Sequence, residues 1–205
     1  MLFDRTFKTI SKTNESVYTE KGSRFISMAF PVSNEATAKI HLEALKLKYP
    51  DASHHCYVWL LNADKSSKRL YDDGEPSNTA ARPILKQINL LDLTNILVVV
   101  IRYFGGKKLG IPGLIAAYGM AAKLCLENCE VVAATLLDYY KIETNFENEH
   151  LIYNLARQHS ATIIETDRLQ SIIITLSING SSTEEFLRDC KKFINFEITY
   201  LKTAL

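Results

Sequence analysis

The sequence predicts an α+β fold built as two successive units, and three observations carry that prediction. The run "NILVVVIRYF" (95–104) has the composition of a buried strand and leads through a glycine-rich turn into a long apolar helix. Residues 137–202 repeat strand and helix signals in the order β-α-β-β-α-β. The charge also divides: residues 1–136 hold 17 Lys+Arg and 13 Asp+Glu, whereas residues 137–205 hold 7 and 10. The units are predicted at 1–133 and 134–205, with almost no linker between them.

Each element has its own signal. Residues 2–10 and 24–32 have strand composition, with "KGS" supplying turn character between them. "SNEATAKIHLEALKLKYP" reads as a helix that Ser33 or Asn34 caps, with Ile40, Ala44 and Leu47 as its apolar positions and Pro50 as its stop. "HHCYVWLLN" is a strand and "RLYDDGE" a shorter one ending in a turn. "SNTAARPILKQI" is a helix provided that Pro83 sits in its first turn, and "IPGLIAAYGMAAKLCLENC" one that opens with Pro112.

In the second unit "LDYYKIETNF" is a strand and "ENEHLIYNLARQHS" a helix with Leu151, Ile152 and Leu155 on one face. "ATIIET" and "SIIITLSI" are strands meeting around "DRLQ", "STEEFLRDCKKF" a helix with an acidic first turn, and "FEITYLK" the last strand. That order is the split βαβ, ferredoxin-like arrangement, with both helices expected on one face of a four-stranded antiparallel sheet.

At 47% hydrophobic and 23% charged residues, the 205-residue chain has the composition of a globular protein. The formal charge of +1 argues against a uniformly basic nucleic-acid binder but leaves room for a local patch. The first part is net +4 and the second net −3, so a polyanion site belongs in the first. Four scattered cysteines (Cys56, Cys125, Cys129, Cys190) read as reduced thiols, and no zinc-ligand spacing surrounds them. "MLFDRTFKTI" lacks a signal-peptide pattern and "ILVVVI" is too short to cross a bilayer. The expectation is a cytoplasmic protein without a membrane partner, cofactor or metal.

Three segments could carry chemistry. "RYFGGKKLGIPG" (102–113) lacks the Gly-Lys-Ser/Thr of a phosphate loop and the spacing of a dinucleotide fingerprint. Gly105 and Gly106 can take positive φ, Lys107 and Lys108 are cationic, and a helix begins near Pro112 and Gly113. Together they suit a phosphate or carboxylate, or else only a tight corner. "YDDGEPSNTAARP" (71–83) sets Asp72, Asp73 and Glu75 within four residues. They could serve as acid/base groups or a hard-metal site, or as a turn with Ser77 or Asn78 capping the next helix. Adjacent aspartates repel unless a cation such as Arg82 or Arg102 lies close. "DASHHCYVW" puts His54 and Cys56 on one face of a strand and His55 on the other. That pairing fits a thiol nucleophile, a metal pair or a buried thiol beside a hydrogen-bonded histidine.

Taken in order, "KGSRFIS" (21–27), "SHHCYVW" (53–59), "YDDGEPSNTAARP" (71–83) and "VVVIRYFGGKKLGIPGLIAAY" (98–118) resemble the IMPACT/YigZ family over nearly the whole chain. The resemblance implies an N-terminal domain similar to the left-handed βαβ domain of certain ribosomal proteins, and a C-terminal domain like those of elongation factor G. It departs from the family pattern where Asn78, Ala81 and Pro112 stand for glycines and Ala116 for an arginine. Eukaryotic relatives restrain an amino-acid-starvation kinase through a ribosome-associated activator. The resemblance implies that one face collects Arg24, His54, Asp72, Asp73, Glu75, Arg102 and Lys107. The leading expectation is a non-catalytic, translation-associated factor that binds structured RNA or the ribosome through Arg24, Arg102, Gly105, Gly106, Lys107, Lys108 and Gly113. The alternatives are a small-substrate hydrolase or metal-dependent enzyme using Asp72, Asp73, Glu75 and His54, and a module that grips a protein partner.

Overall fold

A computed structural model describes residues 6–204, so residues 2–5 of the first expected strand lie outside the described residues. Two compact units divide the chain between Ala133 and Ala134. The first contains β1 (Thr6–Ile10), β2 (Asn14–Glu20), β3 (Ser23–Pro31), α1 (Glu35–Lys48), β4 (His54–Leu61), β5 (Ser67–Tyr71), α2 (Ala81–Leu90), β6 (Ile96–Tyr103) and α3 (Gly110–Glu127). A further strand, β7 (Val131–Thr135), pairs with β1 in a two-stranded sheet.

The main sheet runs β2-β3-β6-β4-β5, and every neighbouring pair is antiparallel. Its central strands β4 and β6 are apolar on both faces because helices cover both. On one face Phe25, Cys56, Val58, Val98 and Val100 pack under α2 and α3. On the other, Ile26, Tyr57, Trp59, Val99 and Ile101 pack under α1. Each large aliphatic side chain taken fully from water contributes roughly 1.5–3 kcal/mol, which makes "NILVVVI" the heaviest single contributor to both cores.

Two expectations change here. Helix α1 buries Ala38, Leu42 and Leu45, while Ile40 and Leu47 are 68% and 82% exposed. Both sets recur at helical spacing, and contact with the sheet selects between them. Strands β2 and β7 had no place in the sequence reading. β2 is an edge strand of alternating exposed and half-buried residues, so its "NESVYTE" carries few of the apolar signals that mark a strand.

The second unit is β8 (Leu137–Thr144), α4 (Glu149–Gln158), β9 (Thr162–Arg168), β10 (Ile172–Asn179), α5 (Thr183–Cys190) and β11 (Glu197–Ala204). Its antiparallel sheet runs β11-β8-β10-β9, the ferredoxin-like order. Alternate residues Tyr140 and Ile142 of β8 and Ile172, Ile174, Leu176 and Ile178 of β10 form one core with Ile152 and Leu155 of α4 and Phe186 and Cys190 of α5. Both helices therefore cover the same face. Buried Asp138 of β8 accepts hydrogen bonds from the hydroxyls of Thr183, at the start of α5, and Thr203 of β11. The fold is α+β throughout, and no described helix is long and apolar enough to cross a membrane.

Candidate functional site

One end of the N-terminal sheet brings the four sequence motifs together. Register places Phe25 of β3 and His54 of β4 on either side of Arg102, near the end of β6. The turn after β5 delivers Asp72, Asp73 and Glu75 to the same end, and the first turns of α2 and α3 follow them.

The Arg102 side chain is the centre of this cluster. It is 5% exposed, and its guanidinium donates to Glu75 Oε1 at 2.5 Å and to Ser23 Oγ at 3.3 Å. The rings of Phe25 and Phe104 lie 5.5 and 5.6 Å from it, and Nε has no hydrogen-bond partner among the described residues. Tyr118, buried in the apolar stripe of α3, donates its hydroxyl to the same Glu75 oxygen at 2.8 Å. Burial, reinforced by Cys56 and Glu75, raises the Tyr118 pKa, so the hydroxyl keeps the proton that it donates. Burial also pushes the Cys56 thiol up, which keeps it protonated as it donates to the Asp72 carbonyl at 3.0 Å. Cys56 is thus a packed donor and not an activated nucleophile.

The three carboxylates have separate duties. Asp72 accepts from the backbone N–H groups of Asn78, Ala80 and Ala81 at 2.8, 3.0 and 2.8 Å. It therefore caps α2, whose own N-cap residue, Ala80, has no side chain able to do so. The cap expected from Ser77 or Asn78 is supplied from across the turn. Asp73, at φ +43°, accepts from the His55 N–H at 2.6 Å and ties the turn to β4. Neither aspartate needs the arginine counter-charge that the sequence suggested. Backbone N–H groups hold both, and Arg102 goes to Glu75.

His54 bridges these parts. Because a carbonyl only accepts, Nδ1 donates to the Asp73 carbonyl at 2.7 Å. Nε2 then faces Glu75 Oε1 at 3.7 Å in a side chain that is 25% exposed. Gly74 (φ +83°) lies over the imidazole, where a Cβ would sit 3.7 Å from Nδ1. His55 turns to the opposite face, and burial lowers its pKa although Asp73 acts against that shift. No group of three or more His, Cys, Asp or Glu among the described residues is arranged to hold a metal ion.

The glycine loop stands beside this cluster. Gly105 does not use positive φ. A Cβ there would lie 1.9 Å from the Gly22 carbonyl carbon, so two backbones meet at a distance that only glycine permits. Gly105 N–H donates to Ser23 Oγ at 3.2 Å, which links the loop to the serine that holds Arg102. Gly106 and Gly110 do take positive φ, at +82° and +71°. Helix α3 starts at Gly110, putting Pro112 in its first turn, and Gly113 makes room for the buried Leu109. The close approach brings the β2–β3 turn, with the exposed Lys21, against the loop that carries the exposed Lys107 and Lys108. Arg24, expected on the same face as Arg102, lies within β3 opposite Tyr103, and strand alternation turns it to the other face from Phe25 and Arg102.

Sequence reasoning named Arg24, His54, the three carboxylates, Arg102 and the loop. It missed Ser23, Lys21 and Tyr118. A tyrosine within the apolar stripe of α3 was the available signal, since a buried phenol must find a partner.

Known proteins resemble this chain in sequence and in fold. The family profile of the Impact N-terminal domain matches residues 21–126, which span all four motifs. IMPACT family member YigZ of Escherichia coli (strain K12) is 33% identical over 168 residues, covering 81% of this chain and 82% of that protein. IMPACT family member YvyE of Bacillus subtilis (strain 168) is 28% identical over 207 residues, covering 98% and 95%. The Protein IMPACT homolog of Saccharomyces cerevisiae (strain ATCC 204508 / S288c) is 35% identical over 95 residues, covering 45% of this chain and 37% of its own length. A crystal structure of a hypothetical protein superposes with a TM-score of 0.73 at 28% identity, over 97% of this chain and 98% of that one. With its motifs gathered at one end of a sheet and matching relatives along most of its length, the chain belongs to the IMPACT family.

Proposed function

We propose that this protein is a non-catalytic, translation-associated factor that binds structured RNA or the ribosome through the loop end of its N-terminal unit. The observation that carries the proposal is the contact between Gly22 and Gly105, which brings the turn of Lys21, just before Arg24 of β3, against the loop of Lys107 and Lys108. None of these four cations forms an ion pair among the described residues. Structured RNA presents phosphates and 2′-hydroxyls, and a rigid cationic ridge beside a helix N-terminus suits both. Among the described residues that terminus has no side-chain cap, because Leu109 at its N-cap offers no acceptor, whereas Asp72 already occupies the start of α2.

The carboxylates support the same reading. Asp72 and Asp73 spend their oxygens on backbone N–H groups, and Glu75 holds Arg102 and Tyr118, so the motif builds the platform from which the loop projects. Co-sedimentation with ribosomes across a salt series tests the proposal. Association should weaken as salt rises and weaken further in Lys107→Ala/Lys108→Ala, with the melting temperature unchanged because both side chains are exposed. Association indifferent to salt and to the double substitution removes the ridge from the function.

A further inference from the structure

The far edge of the same sheet carries a second cationic surface. Among the described residues the strand order leaves β5 with a single neighbour, so one side of Ser67–Tyr71 has open backbone hydrogen-bonding groups. Beside it, β5 and α2 line a groove of about 650 Å³, with Lys68 and Leu70 from the strand and Arg82, Leu85, Lys86 and Leu90 from the helix. Register sets Lys68 opposite Leu60 and Leu70 opposite Val58, both core residues under α2, so the two β5 side chains share that face. Leu70 and Leu85 pack on the core and form an apolar floor, and Leu90 is 67% exposed. Three cations rim the floor and no carboxylate lines it. The exposed face of α1 differs, since Glu35–Lys39 and Glu43–Lys46 balance one another there.

We propose that this groove binds an extended acidic peptide segment with apolar side chains at alternate positions, which adds to β5 as a further antiparallel or parallel strand. Strand addition supplies main-chain hydrogen bonds without sequence preference, and the period of two sends alternate side chains toward the leucine floor. Carboxylates on the segment meet Lys68, Arg82 and Lys86. Lys68 also excludes the commonest wrong partner, because the edge of a second copy would bring its own Lys68 and Arg69. A single nucleic-acid strand is the poorer fit. Such strands are held by aromatic rings stacked on bases, and no aromatic side chain lines the groove.

The test titrates the full chain with a short fluorescein-labelled peptide alternating leucine and glutamate, a matching leucine–lysine peptide, and a labelled oligouridylate. Fluorescence anisotropy should show saturable binding of the acidic peptide only at this groove. Arg82→Glu/Lys86→Glu should weaken it by about tenfold or more, as two attractive contacts become repulsive. Both side chains are exposed, so the melting temperature should hold. Lys107→Ala/Lys108→Ala should leave peptide affinity unchanged, which separates this groove from the ridge proposed above. In amide NMR spectra the peptide should shift residues 67–71 together with α2. No saturable binding, affinity unaffected by the charge reversal, tighter binding of the oligouridylate through Arg82 and Lys86, or amides 67–71 that do not move would each overturn the proposal.

Discussion

Arg102 and Glu75 are buried charges whose partners are few and specific. Arg102→Met leaves the Glu75 carboxylate, 8% exposed, without its cation and should destabilise the protein by about 3–5 kcal/mol in urea titration. Adding Glu75→Leu should recover most of that loss, because an apolar pair of similar volume removes the stranded charge. A double variant no more stable than Arg102→Met would show that the pair contributes in another way. His55 adds a pH dependence. Burial holds its pKa below the ordinary 6.5, so above that value the ring is neutral in both folded and unfolded chains. As pH falls below 6.5, the unfolded chain takes up a proton that the folded chain resists, and stability declines until the folded pKa is passed. Melting temperatures measured downward from about pH 7 should fall less steeply in His55→Gln. Residue types at this scale were legible: an arginine, a histidine and three carboxylates in motifs invite attention. Their pairings were not, since Asp72 turned out to bind a helix terminus and Tyr118 lay hidden in an apolar stripe.

At the scale of elements, two loops and a helix terminus do the positioning. Asp72→Ala orphans the N–H groups of Ala80 and Ala81 together, and should cost about 1–2 kcal/mol with faster amide exchange over the first turn of α2. Exchange accelerated equally along the whole helix would mean that the cap is not its local anchor. The two adjacent glycines separate two physical causes. Gly105→Ala forces a methyl into the Gly22 backbone and should displace the loop, lowering the melting temperature and, on the function proposed above, ribosome association. Gly106→Ala meets nothing within 4 Å and strains only a positive φ, so it should cost about 1 kcal/mol or less. Equal effects of the two substitutions would contradict the close approach. The glycine pair was readable as a tight turn, but the need for Gly105 comes from a residue more than eighty positions away. Strand β2 escaped notice for a related reason: an edge strand needs less apolar surface than the central strands that betray themselves as "NILVVVI".

For the whole molecule, charge and topology set what the chain can approach. The first part carries net +4 and the second net −3, so a polyanion is drawn to the N-terminal unit and away from the C-terminal one. If Lys107 and Lys108 each contact a phosphate, their joint removal should flatten the plot of log affinity against log salt by roughly 0.7–0.9 per contact. An unchanged slope would place the phosphates elsewhere. The chain by itself determined a good deal. Periodicity, turn residues and element order were enough for the α+β class and for the ferredoxin-like second unit, because a β-α-β-β-α-β order leaves few ways to bury one face of each element. Four ordered motifs were enough for the family. Tertiary structure decided which stripe of α1 faces the sheet, which carboxylate meets Arg102, and which turns touch. The Arg102 contacts with Glu75 and Ser23 join residues 27 and 79 positions apart, and Tyr118 reaches Glu75 across 43. Such pairs are set by strand order and register, and no local stretch of sequence contains both partners.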